Sequence, residues 1–253
     1  MKKTYEENYN SAALVGLWGD FVDCKKRQNN DGGFLVKALK RHGCRRVLDA
    51  SLGDGCDSIF LIKKGFDVTS NDIDSLFIEK ALMNAERENA ELKITQYDWR
   101  EFAEKFAPES FDAVVLLGNS LTYLFNKRDQ LRAASAFRSV LRPGGILLID
   151  ERNYDYMQRN KNAILRGGFE YSRKHVYCGA RVHAHPIEIK QNKVVMQYDH
   201  ESGKTGFLVL YPFKRGELRG VLRDAGFRKI ESYSDYAARR NPNAEFLEYI
   251  AVK

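Results

Sequence analysis

The strongest constraint on this chain is a rhythm. From residue 46 to residue 153, short apolar runs of strand length alternate with longer stretches of helical spacing. RRVLDAS reads as a buried strand ending in an acid, and CDSIFLIKKG as a helix that stops at Gly65. FDVTSND and DSLFIEKALMNAEREN repeat the pair, with Asp74 or Ser75 as the helix N-cap. ELKITQYDW is a third strand. FDAVVLLGNS is a fourth, apolar on both faces as at the centre of a parallel sheet. RDQLRAASAFRSVLRPGG predicts a helix and GGILLIDERN a fifth strand. Alternating strands and helices require right-handed crossovers, so the expected fold class is α/β, a doubly wound Rossmann-like parallel sheet.

The flanks differ. Ala13, Leu14, Leu17, Trp18, Phe21 and Val22 recur at helical spacing, and GFLVKALKRHG predicts a second helix capped by Gly43. Beyond Tyr154 the rhythm gives way to GFEYSRKHVYCG, RVHAHPIEI, NKVVMQYDHESGK and TGFLVLYPF, which read as antiparallel strands joined by polar turns. A helix, RGELRGVLRDAGF, and two terminal strands, RKIESYSDY and AEFLEYIAVK, close the chain. The expected organisation is a helical cap over 1–30, a Rossmann-like domain over 31–153 and 212–253, and an antiparallel insert over 154–211. The insert is expected to lie as a substrate lid above the strand carboxyl ends.

A chain of 253 residues can bury a sizeable core unaided. With 43% hydrophobic and 30% charged residues, extensive disorder is excluded. The formal charge of +7 is spread over short clusters such as Lys25-Lys26-Arg27 and Arg239-Arg240. No long basic run or RNP-type aromatic motif supports a nucleic-acid partner. Cys24, Cys44, Cys56 and Cys178 form no C-x-x-C pair and read as free thiols of a reducing compartment. MKKTYEENYN lacks a signal-peptide apolar core, and no run reaches membrane-span length, so a soluble cytoplasmic protein is expected. His183 and His185 share a strand face without a third ligand, and no metal is expected. Oligomeric state is left open.

The chemistry-bearing signal is VLDASLGDGCDS, residues 47–58. A strand ends in Asp49, and Gly53 and Gly55 let the following loop approach a ligand closely. About twenty residues on, Asp72 stands at the end of the next strand, where a carboxylate can accept hydrogen bonds from both ribose hydroxyls. Asp98 and Trp99 after the third strand offer an acceptor for an adenine amino group and an indole to pack on the ring. A dinucleotide oxidoreductase would use the same parts. The loop is not G-x-G-x-x-G, however: it runs Ser51, Gly53, Gly55, Ser58. With LRPGGILLID (141–150), it resembles the class I methyltransferases. That resemblance implies a seven-stranded sheet and S-adenosyl-L-methionine as cofactor, with S-adenosyl-L-homocysteine as product.

LLGNSLTYL (116–124) and LRPGGILLIDERNYDY (141–156) are similar to the glycine N-methyltransferase and glycine/sarcosine N-methyltransferase family, and the likeness runs along most of the chain. It implies a small amino-acid substrate, with Arg152 gripping its carboxylate bidentately and Asn119 beside it. It also implies Tyr177 and Tyr211 near the substrate, and Tyr9, Trp18 and Arg27 in an N-terminal segment closing over the cofactor. Asp49, Ser51, Gly53, Gly55, Asp72, Ile73, Asp98, Trp99 and Leu117 complete the implied cofactor set. The chain departs from the family at Glu151, where histidine or glutamine is expected, at Phe21 for tyrosine, and at Asp54 for a small hydroxyl residue. Three alternatives stay open. One is a methyltransferase of another small amine or amino acid. A second is an RNA or protein methyltransferase, although Gly118-Asn119-Ser120-Leu121 replaces the Pro-Pro-aromatic motif of base-methylating enzymes. The third is a non-catalytic relative that binds the cofactor.

Overall fold

A computed structural model describes residues 12–253. Three helices lead: α1 (Ala12–Phe21), α2 (Cys24–Asn30) and α3 (Phe34–Arg41). The alternating region follows as β1 (Arg46–Asp49), α4 (Cys56–Lys63), β2 (Asp67–Asn71), α5 (Ser75–Arg87), β3 (Lys93–Thr95), α6 (Phe102–Lys105), β4 (Phe111–Leu116), α7 (Lys127–Val140) and β5 (Leu141–Arg152). Local chemistry sets the helix starts. Asp74 accepts a hydrogen bond from the Leu76 N–H at 2.9 Å to cap α5, and Asn126 accepts from Asp129 N–H at 2.8 Å to cap α7.

The insert contributes α8 (Tyr154–Arg159), α9 (Lys161–Leu165), and strands β6 (Val182–Ile189), β7 (Val194–His200) and β8 (Thr205–Leu210) in a separate antiparallel sheet. The chain then returns through α10 (Glu217–Asp224), β9 (Lys229–Ser234) and β10 (Phe246–Val252). The main sheet has seven strands in the order β3-β2-β1-β4-β5-β10-β9. Strands β1 to β5 pair in parallel, whereas β10 runs antiparallel to both neighbours. The parallel sheet expected from the rhythm is therefore a mixed one, because the β9–β10 connection returns the chain directly without a crossover helix.

Period-two alternation sends neighbouring residues to opposite faces. Val47, Val115 and Leu148 pack with Leu35, Leu39 and Leu61 on one side; Leu48, Val114 and Ile149 pack with Phe137, Leu218 and Leu222 on the other. A third core joins Leu14, Leu17 and Phe21 of α1 to Tyr154, Val182, Met196, Leu208 and Phe246. The N-terminal helix and the insert thus share one apolar layer above the carboxyl ends of the strands.

Two expectations are corrected. GFEYSRKHVYCG is not a strand: residues 168–181 hold no regular element. Gly179 comes so close to the end of α1 that a Cβ there would lie 2.1 Å from the Asp20 carbonyl oxygen, and its N–H donates to the Phe21 carbonyl at 3.0 Å. The Gly179 N–H is thus satisfied by α1, and the Ser172 N–H by the Glu245 carboxylate, rather than by a strand neighbour. Cys24 and Cys56 are not free thiols but a disulfide, with Cα atoms 5.7 Å apart. Packing of α2 on α4 brings them together across a sequence separation of 32, which spacing alone does not reveal. Cys44 and Cys178 are free and buried.

Candidate active site

The strand order reverses between β1 and β4, and the loops after β1, β2, β3 and β4 diverge there to open a crevice. A cavity of about 250 Å³ fills it. Of the expected cofactor residues, Trp18, Arg27, Ser51, Gly53, Asp72, Ile73, Asp98, Trp99 and Leu117 line this cavity. Tyr9 lies outside the described residues. Asp49 and Gly55 sit behind the lining. Asp49 is buried and accepts from the Ser51 N–H at 3.2 Å and the Ser58 hydroxyl at 2.6 Å, which ties the glycine loop to the first turn of α4. Burial, with Asp57 nearby, pushes its carboxyl up to about 7. Gly55 adopts φ 89°, and a Cβ on it would press within 3.2 Å of Ala81 and Ile59. Only glycine fits that corner without strain.

The walls carry polar atoms suited to an adenosyl group. Asp72 accepts from Gly53 N–H at 2.8 Å and Asp74 N–H at 3.0 Å, which sets its carboxylate at the mouth of the β1 loop. Burial raises it to about 6. Trp99 donates its indole N–H to the Ala50 carbonyl at 2.6 Å, so the ring is anchored edge-on to the β1 loop. Asp98 is held by the Arg100 guanidinium, through Nε at 3.0 Å and Nη2 at 2.5 Å, and that pairing keeps its carboxyl below the usual range. Ile73 is 63% exposed beside the cavity, an apolar surface that a bound ring would cover. Arg27 pairs with Asp57 at 2.7 Å; burial is the largest influence and opposes its charge, but Asp57 together with Tyr236, Asp150 and Tyr177 outweighs it and keeps the guanidinium cationic. Donors, acceptors and apolar surface therefore match the amphipathic ligand expected of the fold.

Next to this cavity the β4 loop turns sharply. Gly118 and Asn119 both take left-handed backbone angles, φ 78° and 66°. Their N–H groups donate to the buried Asp150 at 3.1 and 2.6 Å. Asn119 spends its side chain on positioning: Nδ2 donates to the Tyr154 hydroxyl at 2.7 Å, and Oδ1 accepts the Arg152 N–H at 2.9 Å. It thereby fastens the end of β4 to the end of β5.

Arg152 is 4% exposed. Its Nη2 donates to the Tyr171 hydroxyl at 2.7 Å, and its Cζ lies 4.6 Å from the ring centre of Tyr171, 5.0 Å from Phe246 and 5.4 Å from Tyr177. Among the described residues no carboxylate pairs with it. The neighbouring acids are engaged elsewhere: Asp155 with Arg159 at 3.2 Å, and Glu151 with the Tyr249 hydroxyl at 2.7 Å. Burial opposes the charge, yet the surrounding tyrosines outweigh it and the group stays cationic. Tyr177 links this nest to the cavity. Its ring stacks on Phe21 at 4.5 Å, and its hydroxyl donates to the Gly118 carbonyl at 3.1 Å.

The structure thus gathers Asn119, Arg152 and Tyr177, and it does not bring Tyr211 to them. Tyr211 donates its hydroxyl to Glu217 at 2.7 Å and packs against Phe125 and Phe213. Tyr171, Tyr154 and Phe246 were missed from the sequence. Tyr154 stands two residues beyond Arg152 and could have been read from RNYDY. Tyr171 lies on an irregular segment with no periodicity to point to its partner.

A family described as "Methyltransferase domain" matches residues 47–145. The glycine/sarcosine N-methyltransferase of Halorhodospira halochloris is 34% identical over 98% of this chain and 90% of its own length. That of Aphanothece halophytica is 36% identical over 98% and 91%. A solved S-adenosylmethionine-dependent methyltransferase from Clostridium acetobutylicum superposes with a TM-score of 0.69 over 94% of this chain and 95% of that one, at 14% identity, a likeness of fold alone. Fold, cofactor crevice and near-full-length similarity agree, and the chain belongs to the glycine/sarcosine N-methyltransferase family of S-adenosylmethionine-dependent methyltransferases.

Proposed function

We propose that this protein methylates the amine nitrogen of glycine, sarcosine or both, with Arg152 as the clamp for the substrate carboxylate. The observation that carries this reading is a buried guanidinium that has no carboxylate partner among the described residues, set in an aromatic nest beside the cofactor crevice. A buried charge left unpaired is costly, and a bound carboxylate supplies the missing partner. The names of the long relatives, glycine/sarcosine and glycine/sarcosine/dimethylglycine N-methyltransferase, point to the same substrate class.

S-adenosylmethionine supplies an electrophilic methyl carbon on a sulfonium. Asp72, Trp99 and Ile73 are placed to hold its adenosyl part, and Arg27 its charged tail. The chain's remaining task is alignment: a fixed carboxylate leaves the adjacent amine little freedom, which is the main source of rate in a displacement of this kind. The Gly118 carbonyl, which lines the cavity and accepts from Tyr177, marks where such an amine meets the crevice. The shared apolar layer of α1 and the insert keeps water from that junction.

The test is product analysis by mass spectrometry with glycine, sarcosine, dimethylglycine and methylamine as acceptors. Turnover on glycine or sarcosine is expected, with none on methylamine, which lacks the carboxylate. Arg152→Ala should lower kcat/KM for the amino acid by about 2–5 kcal/mol, roughly 30- to 5,000-fold, while S-adenosylhomocysteine affinity holds. Equal turnover of methylamine, or an unaffected Arg152→Ala, would rule the clamp out.

A further inference from the structure

Cys24 opens α2 and Cys56 opens α4, and their disulfide stands between two cavities. On one side Cys56 lines the cofactor crevice beside Arg27 and Asp57. On the other, both cysteines line a cavity of about 740 Å³, together with the exposed Lys25 and Lys26. Cys24 is half-buried, whereas Cys56 is 7% exposed. A small thiol entering from the second cavity therefore meets the Cys24 sulfur first.

The bond governs the seat of α2. The helix buries no residue of its own. It joins α4 through this bond, through the Arg27–Asp57 pair at 2.7 Å, and through a hydrogen bond from Gln28 Nε2 to the Cys56 carbonyl at 3.4 Å. Arg27 follows Cys24 by three residues and so lies on the same face of the helix, while Asp57 follows Cys56 directly. The covalent link thus stands one turn from the guanidinium that walls the crevice. Without it, an ion pair and a long hydrogen bond hold α2 to α4, and a ligand that needs Arg27 in place must supply the ordering that the intact bond provides in advance.

We propose that the Cys24–Cys56 bond is a thiol-exchange site that sets cofactor affinity: a small thiol attacks Cys24, α2 is released from α4, and the Arg27 wall of the crevice loosens. The attacking thiolate bonds to Cys24 Sγ as the bond to Cys56 breaks. The electron pair leaves on Cys56 Sγ, which takes a proton from solvent. A second thiol molecule then displaces the first from Cys24, so the protein gains two electrons and two protons while the thiol is oxidised to its own disulfide. The proposal rests on the assignment of Arg27 to the cofactor's charged tail and not on which amine is methylated.

Titration calorimetry with S-adenosylhomocysteine, on the oxidised protein and after dithiothreitol, tests the switch. Reduction should weaken binding by about fivefold or more, and reoxidation with glutathione disulfide should restore it. Cys24→Ser should bind like the reduced parent in both buffers. Circular dichroism, unchanged between the two states, places the effect in the crevice rather than in the fold. Arg27→Ala should bind weakly in both states, with less than about twofold between them. Glutathione followed by iodoacetamide, read by peptide mass spectrometry, should place glutathione on Cys24 and the alkyl group on Cys56. Equal affinity of the oxidised and reduced parent would overturn the switch, and the reverse labelling would overturn the direction of attack. A loss on reduction that persists in full in Arg27→Ala would overturn the route through Arg27. Unchanged affinity in oxidised Arg27→Ala would instead overturn the assignment of Arg27 to the cofactor tail, a failure that the parent's own response to dithiothreitol does not share.

Discussion

At the scale of single residues, the site works by spending polar atoms on one another until only the useful ones remain. Asn119 has both polar side-chain atoms engaged, Nδ2 on Tyr154 and Oδ1 on the Arg152 backbone, which fixes its amide at the junction of β4 and β5. Arg152 retains donors beyond the one given to Tyr171. Tyr171→Phe removes that hydroxyl and frees the guanidinium to swing within its nest. The expected loss is about 1.5–3 kcal/mol, roughly ten- to hundredfold in kcat/KM for the amino acid, mostly through KM. Steady-state kinetics at saturating cofactor check it, and a fall confined to kcat would contradict a clamp-positioning role. Asp72, Gly53 and Trp99 were readable in advance because each follows a strand at a fixed offset. Tyr171 was not, because residues 168–181 follow no period and their direction is set by α1 and β10.

Among elements, α2 stands out as a short helix with no buried residue of its own. Two ties fasten it over the cofactor crevice: the Arg27–Asp57 ion pair at 2.7 Å and the Cys24–Cys56 disulfide, both to α4. Closing a loop of this length restricts the unfolded chain by about 3–4 kcal/mol on the chain-entropy view. Cys24→Ser should therefore lower Tm under non-reducing conditions and leave it unchanged once reductant is present. Differential scanning calorimetry in both buffers decides the matter, and equal Tm values for parent and variant without reductant would show that the bond contributes nothing. Free thiols were the natural reading of four scattered cysteines, because helix packing, not spacing, creates this pair.

For the whole molecule, the notable feature is a set of buried carboxyls that form no ion pair among the described residues. Burial, the largest cause in each case, raises Asp49 to about 7, Asp72 and Asp150 to about 6, and Glu151 and Glu248 to about 8. In the unfolded chain such acids titrate near 4. Between roughly pH 4 and 8 the native state therefore holds more protons than the unfolded one, and stability falls as pH rises through that window. Asp112 and Glu231 act oppositely. For Asp112 burial is outweighed by the Arg45 and Arg46 N–H groups and by the Arg46 and Arg142 side chains; Glu231 is held down mainly by Tyr233 and then, against its burial, by Arg41. Both lie near 2, so their contribution is present above about pH 4 and lost as pH falls toward 2. The ligand-free protein should be most stable at mildly acidic pH, with Tm dropping between pH 6 and 8.5, and Glu151→Gln should flatten that drop. Calorimetry across the range tests this; a Tm that climbs steadily to pH 8.5 would contradict it.

Period and offset were enough to read an α/β fold, its strand-helix pairs and the crevice at their carboxyl ends, because backbone periodicity and tight turns are local properties of the chain. The family resemblance, carried by GNS and RNYDY, added Asn119 and Arg152. Three things were decided only by tertiary packing: the antiparallel β10, the Cys24–Cys56 pair, and the distribution of tyrosines, with Tyr171 drawn to Arg152 and Tyr211 turned to Glu217. Each depends on which surfaces meet across long separations, and no local pattern of side chains encodes where a distant segment will come to rest.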